Sequence, residues 1–248
     1  TGRKEAKKCK TGVWTCEAPP TKRDIYFADA KEWPGSVYHY DTTTGIEETV
    51  YTRPSRQLFS FTFHPGIPEK LYYVNAIENK IYRTHQTGLG WAPEEVVYTH
   101  TTNVKDIAFA FDKDGKLGLY FSEANKIYKI EDSKASLYYE AELADFADVD
   151  GFWVGDFAFD DKNNLYLSSA NRVPAGIYKV EGGEIKEIFR DEKEPITGLV
   201  YEEGALYYAN YGTKIYRLDL TTGERTVVYS NPERMWLSDV GFRQEGIG

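Results

Sequence analysis

The sequence predicts an all-β fold, a β-propeller of five four-stranded blades, and three observations predict it. A Tyr, an aromatic or aliphatic residue, a small residue and a polar one recur as Tyr26-Phe-Ala-Asp29, Tyr72-Tyr-Val-Asn75, Tyr120-Phe-Ser-Glu123, Tyr166-Leu-Ser-Ser169 and Tyr207-Tyr-Ala-Asn210. The steps between those tyrosines are 46, 48, 46 and 41 residues, the spacing of radial β repeats. The first copy lacks a preceding inner strand, while Ser238-Asp-Val-Gly-Phe242 is an inner strand with no copy after it, matching Lys105-Asp-Ile-Ala-Phe109 and Gly155-Asp-Phe-Ala-Phe159. The C-terminal strand is therefore expected to join the N-terminal blade and close the ring, which satisfies the edge hydrogen bonds of both ends.

Each blade can be read strand by strand. Inner strands fall at Ser60–Phe63, Asp106–Phe109, Asp156–Phe159 and Gly198–Tyr201, each followed by a cluster of turn formers such as Asp112-Lys-Asp-Gly115 or Asp160-Asp-Lys-Asn-Asn164. Those clusters suit hairpins, because Asx side chains and Gly meet the turn geometry. The tyrosine copies form the second strands. Third strands follow at Val37–Tyr40, Ile81–Arg83, Ile127–Lys129, Ile177–Lys179 and Ile215–Arg217, and fourth strands at Thr49–Tyr51, Val96–Tyr98, Leu137–Tyr139, Ile188–Phe189 and Val227–Tyr229. Period-two alternation of β-branched or aromatic with polar residues marks them as antiparallel sheets.

At 248 residues and 41% hydrophobic, the chain is long enough for one propeller domain over residues 23–248. No run of 18 apolar residues occurs, so no membrane span is expected. A net charge of −9 argues against a nucleic-acid partner. Residues 1–22 form a separate N-terminal segment in which Arg3, Lys4, Lys7, Lys8 and Lys10 surround Cys9 and read as a solvated tail. Cys9 and Cys16 are too few for a structural zinc site; a small disulfide loop is expected, with free thiols as the alternative. A disulfide implies a secreted protein, periplasmic if bacterial.

The Tyr-x-x-polar copies, Tyr26-Phe-Ala-Asp29 above all, resemble the YWTD repeats of lipoprotein-receptor propellers and the related NHL repeats. The pattern from Asp156 to Ser169 is similar to that of the gluconolactonase and strictosidine-synthase superfamily. The resemblance covers roughly residues 24–243 and concerns repeat style. It implies a propeller, usually of six blades, and, for the gluconolactonase type, a divalent cation at the top of the channel held by acidic and amide side chains. This chain has Gly155-Asp156 and Lys105-Asp106 where that type carries Asp/Asn-Gly before the inner strand.

Strand direction gives an argument that stands apart from family. If inner strands run downward and second strands return upward, inner-strand starts and second-strand ends share one mouth. That set is Ser60, Asp106, Asp156, Gly198 and Asp239 with Asp29, Asn75, Glu123, Ser169 and Asn210. Carboxylates crowded about a narrow axis repel, and something must neutralise them. Either each Asp accepts N–H bonds from the adjacent blade, or Asp106, Asp156 and Asp239 hold a calcium ion through oxygen ligands, or one carboxyl is a general base with a shifted pKa. Trp33, Trp153, Tyr211 and Trp236 lie outside the repeating positions and are expected to rim this mouth, with Asn75 and Asn210 as polar ligand contacts. A second acidic cluster, Asp145, Asp148 and Asp150, reads as a solvent-facing loop or a weak calcium loop.

No Gly-x-Ser-x-Gly elbow, His-Glu-x-x-His helix or phosphate loop occurs. The expected function is a secreted, monomeric binding propeller whose upper mouth takes a small molecule, a sugar or a protein loop over a structural calcium ion. The alternative is a metal-dependent lactonase or esterase of the gluconolactonase type, with Asp106, Asp156 and Asp239 as metal ligands and Glu123 or Asp29 as base.

Overall fold

A computed structural model describes residues 24–31, 33–54, 56–75, 77–142, 154–169 and 173–243. Cys9, Cys16 and the rest of the N-terminal segment, Trp153, and the acidic cluster Asp145, Asp148 and Asp150 lie outside the described residues. All regular structure among the described residues is β-strand, arranged as five antiparallel sheets.

Blade 1 combines β21 (Leu237–Gly241), β1 (Ile25–Asp29), β2 (Ser36–Tyr40) and β3 (Glu47–Thr52), so the C-terminal strand does close the ring on the N-terminal blade. Blade 2 holds β4 (Ser60–His64), β5 (Ile67–Val74), β6 (Lys80–Thr87) and β8 (Glu95–Thr99), with a two-residue strand β7 (Gly90–Trp91) paired to the far end of β6. Blade 3 is β9 (Ile107–Phe111), β10 (Leu117–Glu123), β11 (Lys126–Glu131) and β12 (Lys134–Glu140). Blade 4 is β13 (Val154–Phe159), β14 (Leu165–Ser169), β15 (Ala175–Glu181) and β16 (Glu184–Asp191); blade 5 is β17 (Thr197–Glu202), β18 (Ala205–Ala209), β19 (Lys214–Asp219) and β20 (Arg225–Ser230). The inner strands touch in the order β21, β4, β9, β13, β17 and back to β21. Five blades therefore encircle one axis.

The core is divided among the five blade junctions rather than gathered at the centre. Val37, Phe61, Phe63, Leu71 and Tyr73 fill the junction of blades 1 and 2. Phe157, Leu165 and Leu167 with Tyr120 fill that of blades 3 and 4, and Phe27, Tyr38 and Ile215 that of blades 5 and 1. This is why the repeated tyrosines and phenylalanines alternate along the strands: each ring buried between sheets contributes about 1.5–3 kcal/mol.

One feature repeats in every blade. The register between third and fourth strands slips at the same dipeptide: Val37/Tyr38, Ile81/Tyr82, Ile127/Tyr128, Ile177/Tyr178 and Ile215/Tyr216. Each slip leaves one extra residue on the fourth strand, such as Val50 between the partners Tyr51 and Thr49. A bulge of this kind bends and twists the outer strand, which guards a sheet edge against pairing with another chain.

Candidate functional site

The structure brings Asp106, Asp156 and Asp239 together at the axis, each 3% exposed. Their oxygens are turned to the backbone. Asp239 Oδ2 accepts the Phe61 N–H of the next blade at 2.7 Å, and its Oδ1 accepts the Val240 N–H at 2.7 Å. Asp106 Oδ2 accepts the Phe157 N–H of blade 4 at 3.0 Å; its Oδ1 takes the Ile107 N–H at 2.8 Å and the Ser60 hydroxyl of blade 2 at 2.6 Å. These bonds tie successive inner strands together through their exposed edges. Asp156 differs, because Ser168 Oγ reaches its Oδ2 at 3.5 Å and its Oδ1 has no partner.

Burial is the strongest influence on all three carboxyls. It pushes Asp106 up to about 7, against the Ser60 hydroxyl and the Phe157 and Ile107 N–H groups. It holds Asp156 and Asp239 well above the usual carboxylate range, and the negative charge of Asp106 adds to the effect on both. The cluster is therefore best satisfied by holding protons, shared among carboxyls that titrate as a unit. Among the described residues no group of three or more His, Cys, Asp or Glu side chains is arranged to hold a metal ion. A calcium ion here would compete with four backbone N–H groups for the oxygens of Asp106 and Asp239, so the donor set does not fit it well.

The second-strand ends do a different job from the one expected of a binding mouth. Asp29 Oδ1 accepts the Lys31 N–H at 2.9 Å, Asn75 Oδ1 the Ile77 N–H at 3.2 Å, Ser169 Oγ the Gly176 N–H at 2.8 Å, and Asn210 Oδ1 the Lys214 N–H at 3.0 Å. The polar residue of four of the five repeats thus braces the loop into the third strand, as Asx and Ser side chains do in turns. Asn210 also donates to Glu194 Oε1 at 3.2 Å. Glu123 pairs with His100 Nε2 at 3.0 Å and accepts the Thr102 hydroxyl. Burial works to raise the Glu123 carboxyl, but the hydrogen bonds from Thr102 and His100 outweigh it and hold the group below its ordinary range. A carboxylate held down and doubly bonded is a weak general base.

Aromatic side chains are exposed on two loops of the upper face. Tyr211 and Trp236 stack with ring centroids 6.2 Å apart and planes 7° from parallel. Trp236 is 43% exposed, Met235 48% and Trp33 66%. The Ala30 N–H donates to the Trp236 carbonyl at 2.8 Å, and Lys31 Nζ reaches Met235 Sδ at 2.6 Å. These contacts hold the 30–35 loop beside the 231–236 connector. Exposed Ile77 and Val173 lie on equivalent loops of blades 2 and 4.

The axial cavity opens the other way. About 140 Å³ of space runs below the acid cluster, with Asp106 and Asp239 at one end and Pro65, Glu202 and Phe242 at the other. Those three lie where the inner strands leave the channel at the lower face.

Sequence reasoning missed a further repeated device. Arg53, 1% exposed, reaches Glu94 at 3.1 Å and Glu78 at 3.3 Å and lies over the Tyr82 ring at 4.4 Å. Arg234 sits 3.7 Å from the Tyr38 ring and pairs with Glu47; Arg225 sits 4.5 Å from the Tyr216 ring and pairs with Asp191. In blade 3 His100 takes the same place against Tyr128 at 5.1 Å. The third-strand Tyr thus offers its ring to an arginine, from the preceding connector for Arg53 and Arg234 and from the adjoining fourth strand for Arg225. The recurrence of Tyr after Ile or Val was the available signal.

No protein-family model matches the chain, and no curated protein does. Solved structures do. A chain from a nidogen/laminin complex is 12% identical with a TM-score of 0.59, over 90% of this chain and 99% of that one. The PQQ-bound aldose sugar dehydrogenase of Streptomyces coelicolor is 15% identical with a TM-score of 0.56, over 84% of this chain and 79% of that one. A Bacteroides caccae protein of unknown function is 11% identical with a TM-score of 0.55, over 91% of this chain and all of that one. Identities this low show the fold alone. The propeller expected from the repeats is borne out at that level. No helix among the described residues is long and apolar enough to cross a membrane.

Proposed function

We propose that this protein is a binding propeller, secreted or periplasmic, whose upper face takes a loop of a partner protein on the patch formed by Trp33, Tyr211, Met235 and Trp236. The observation that carries the proposal is the exposure of Trp33, Met235 and Trp236 on two adjoining loops of one face. Large apolar side chains held at the surface cost solvation, and Trp, Tyr and Met are the residues that anchor protein interfaces. The stacked Tyr211–Trp236 pair is already ordered, so little side-chain freedom is lost when a partner covers it. One fold-similar chain comes from a protein complex, that of nidogen with laminin, which supports a propeller face as a protein-binding surface. The pair Cys9 and Cys16 supports the extracellular setting, and a thiol titration that finds two free cysteines in the purified protein would remove that support.

The axial carboxyls enter this reading as structural ties and calcium does not enter it, because their oxygens are committed to N–H groups. The lactonase reading would need those same carboxylates as ligands and an unengaged base, whereas Glu123 is committed to His100 and Thr102.

Selection of peptides from a display library on the immobilised domain tests the proposal. Selected peptides are expected to lose binding to the Trp33→Ala/Trp236→Ala double variant and keep it with Leu89→Ala on the lower face. Equal binding to both variants refutes the upper-face site. Retention of a glycan from a panel, lost in the same double variant, would replace the protein loop by a sugar, and turnover of a lactone panel would favour the enzyme.

A further inference from the structure

The polar atoms on the exposed rings of the upper face are open, and each of them can donate. Among the described residues neither the Trp33 nor the Trp236 indole N–H meets an acceptor and the Tyr211 hydroxyl meets no partner, whereas the Trp91 indole donates to the Val50 carbonyl at 2.7 Å. An indole N–H donates and never accepts. Tyr211 stacks on Trp236, which stays 43% exposed, and the bond from the Ala30 N–H to the Trp236 carbonyl sets the Trp33 loop beside the pair. Tyr211 takes this place at a φ of +50°, in the left-handed region that a bulky L-residue enters at a cost. Strain of this kind gathers at ligand clamps.

A ligand that answers this arrangement has apolar rings to lay on the aromatic faces and open carbonyls to accept the indole N–H groups. A polyproline II segment has both: its carbonyls make no internal bonds, and its prolines bring pyrrolidine rings and no N–H. An ordinary extended strand brings N–H groups that an indole N–H cannot meet, and it has to be ordered on binding. The polyproline helix and the stacked Tyr211–Trp236 pair are both formed beforehand, which lowers the cost of association. The helix repeats its face every three residues, about 9 Å, so prolines of one segment can meet rings on two adjoining loops.

Resting on the upper-face site proposed above, we infer that the partner loop is a proline-rich segment in the polyproline II conformation, its proline rings against Trp33 and Trp236 and its carbonyls accepting the two indole N–H groups.

Anisotropy titration of dye-labelled decaproline with the whole protein tests this, beside a Gly-Ser peptide of equal length. Expected is saturable binding of decaproline and none of the Gly-Ser peptide. Trp236→Ala removes ring and N–H together and should weaken binding about tenfold or more. Trp236→Phe keeps a ring and loses the N–H, and should weaken it several-fold. Circular dichroism checks the fold of both variants. Absence of saturable decaproline binding to the wild-type protein, equal affinity for the Gly-Ser peptide, or unchanged affinity in either folded variant would each overturn the inference. Display-selected peptides that contain no proline yet lose binding to Trp33→Ala/Trp236→Ala would overturn it alone and leave the upper-face site standing. The wild-type comparison of the two peptides decides the matter even where a variant fails to fold.

Discussion

Raising the pH from 5 to 8 should weaken this protein, and the acid cluster sets the size of the effect. In the unfolded chain Asp106 titrates near 3.8, whereas in the folded protein burial holds it at about 7. Between those values the folded state keeps a proton that the unfolded state has released, so stability falls as pH rises. The stability is fully present below 3.8 and is lost as the pH passes through about 7. About three pH units at about 1.4 kcal/mol each give about 4 kcal/mol for this carboxyl, of which about 2 kcal/mol falls between pH 5 and 7. Asp156 and Asp239, also raised by burial, add to the decline in the same sense. His64 acts in the opposite sense: burial and Lys70 lower its pKa, so the unfolded chain binds the extra proton and stability rises through the ordinary histidine range. His64→Gln removes that contribution. The assay is urea unfolding at pH 5, 6, 7 and 8, with the slope of free energy against urea checked for constancy. A decline of several kcal/mol that flattens in Asp106→Asn is expected. Stability that stays level or rises across this range in His64→Gln, or a decline unchanged in Asp106→Asn, would refute the argument.

Three further outcomes follow from the same structure. Arg53→Ala should cost about 2 kcal/mol or more by urea unfolding, less than the 3–5 kcal/mol of a fully buried pair because Glu94 keeps contact with water; a loss below about 0.5 kcal/mol would make the stacked guanidinium incidental. Gly198→Ala places a Cβ 2.3 Å from the Asp239 Cα at a φ of +60°, so a loss of about 2–4 kcal/mol is expected from overpacking and backbone strain, and a neutral variant would contradict the close approach of blades 5 and 1. Adding millimolar Ca²⁺ or a chelator should leave the melting temperature unchanged, since Asp106 and Asp239 are committed to N–H groups; a rise of several degrees with Ca²⁺ would restore the cation to the axis.

The architecture was legible because a propeller writes its blade into the chain at a fixed period. Tyr26, Tyr72, Tyr120, Tyr166 and Tyr207 mark that period, and the unmatched Ser238–Phe242 segment announced the closure. The positions of Asp106, Asp156 and Asp239 around the axis followed from strand direction alone. Their orientation did not, because whether a carboxyl faces the channel or the next blade depends on an N–H group some 50 residues away, as with Asp106 and Phe157. Asn75 and Asn210 were read as ligand contacts, although a polar residue just before a turn is also an Asx brace, which is the role the structure gives them. The bulge in every fourth strand was invisible because it moves one residue without altering the alternation. Arg53 was missed for a related reason: its partners Glu78, Glu94 and Tyr82 come from three separate segments of the next blade.

Burial holds the three axial carboxyls well above the ordinary carboxylate range. Carbon-13 NMR of the aspartate side-chain carboxyls, followed from pH 3 to 9 with Asp106→Asn, Asp156→Asn and Asp239→Asn for assignment, measures this directly. Asp106 should titrate near 7 and the other two well above the ordinary carboxylate range; three ordinary titrations near 3.8 would contradict this.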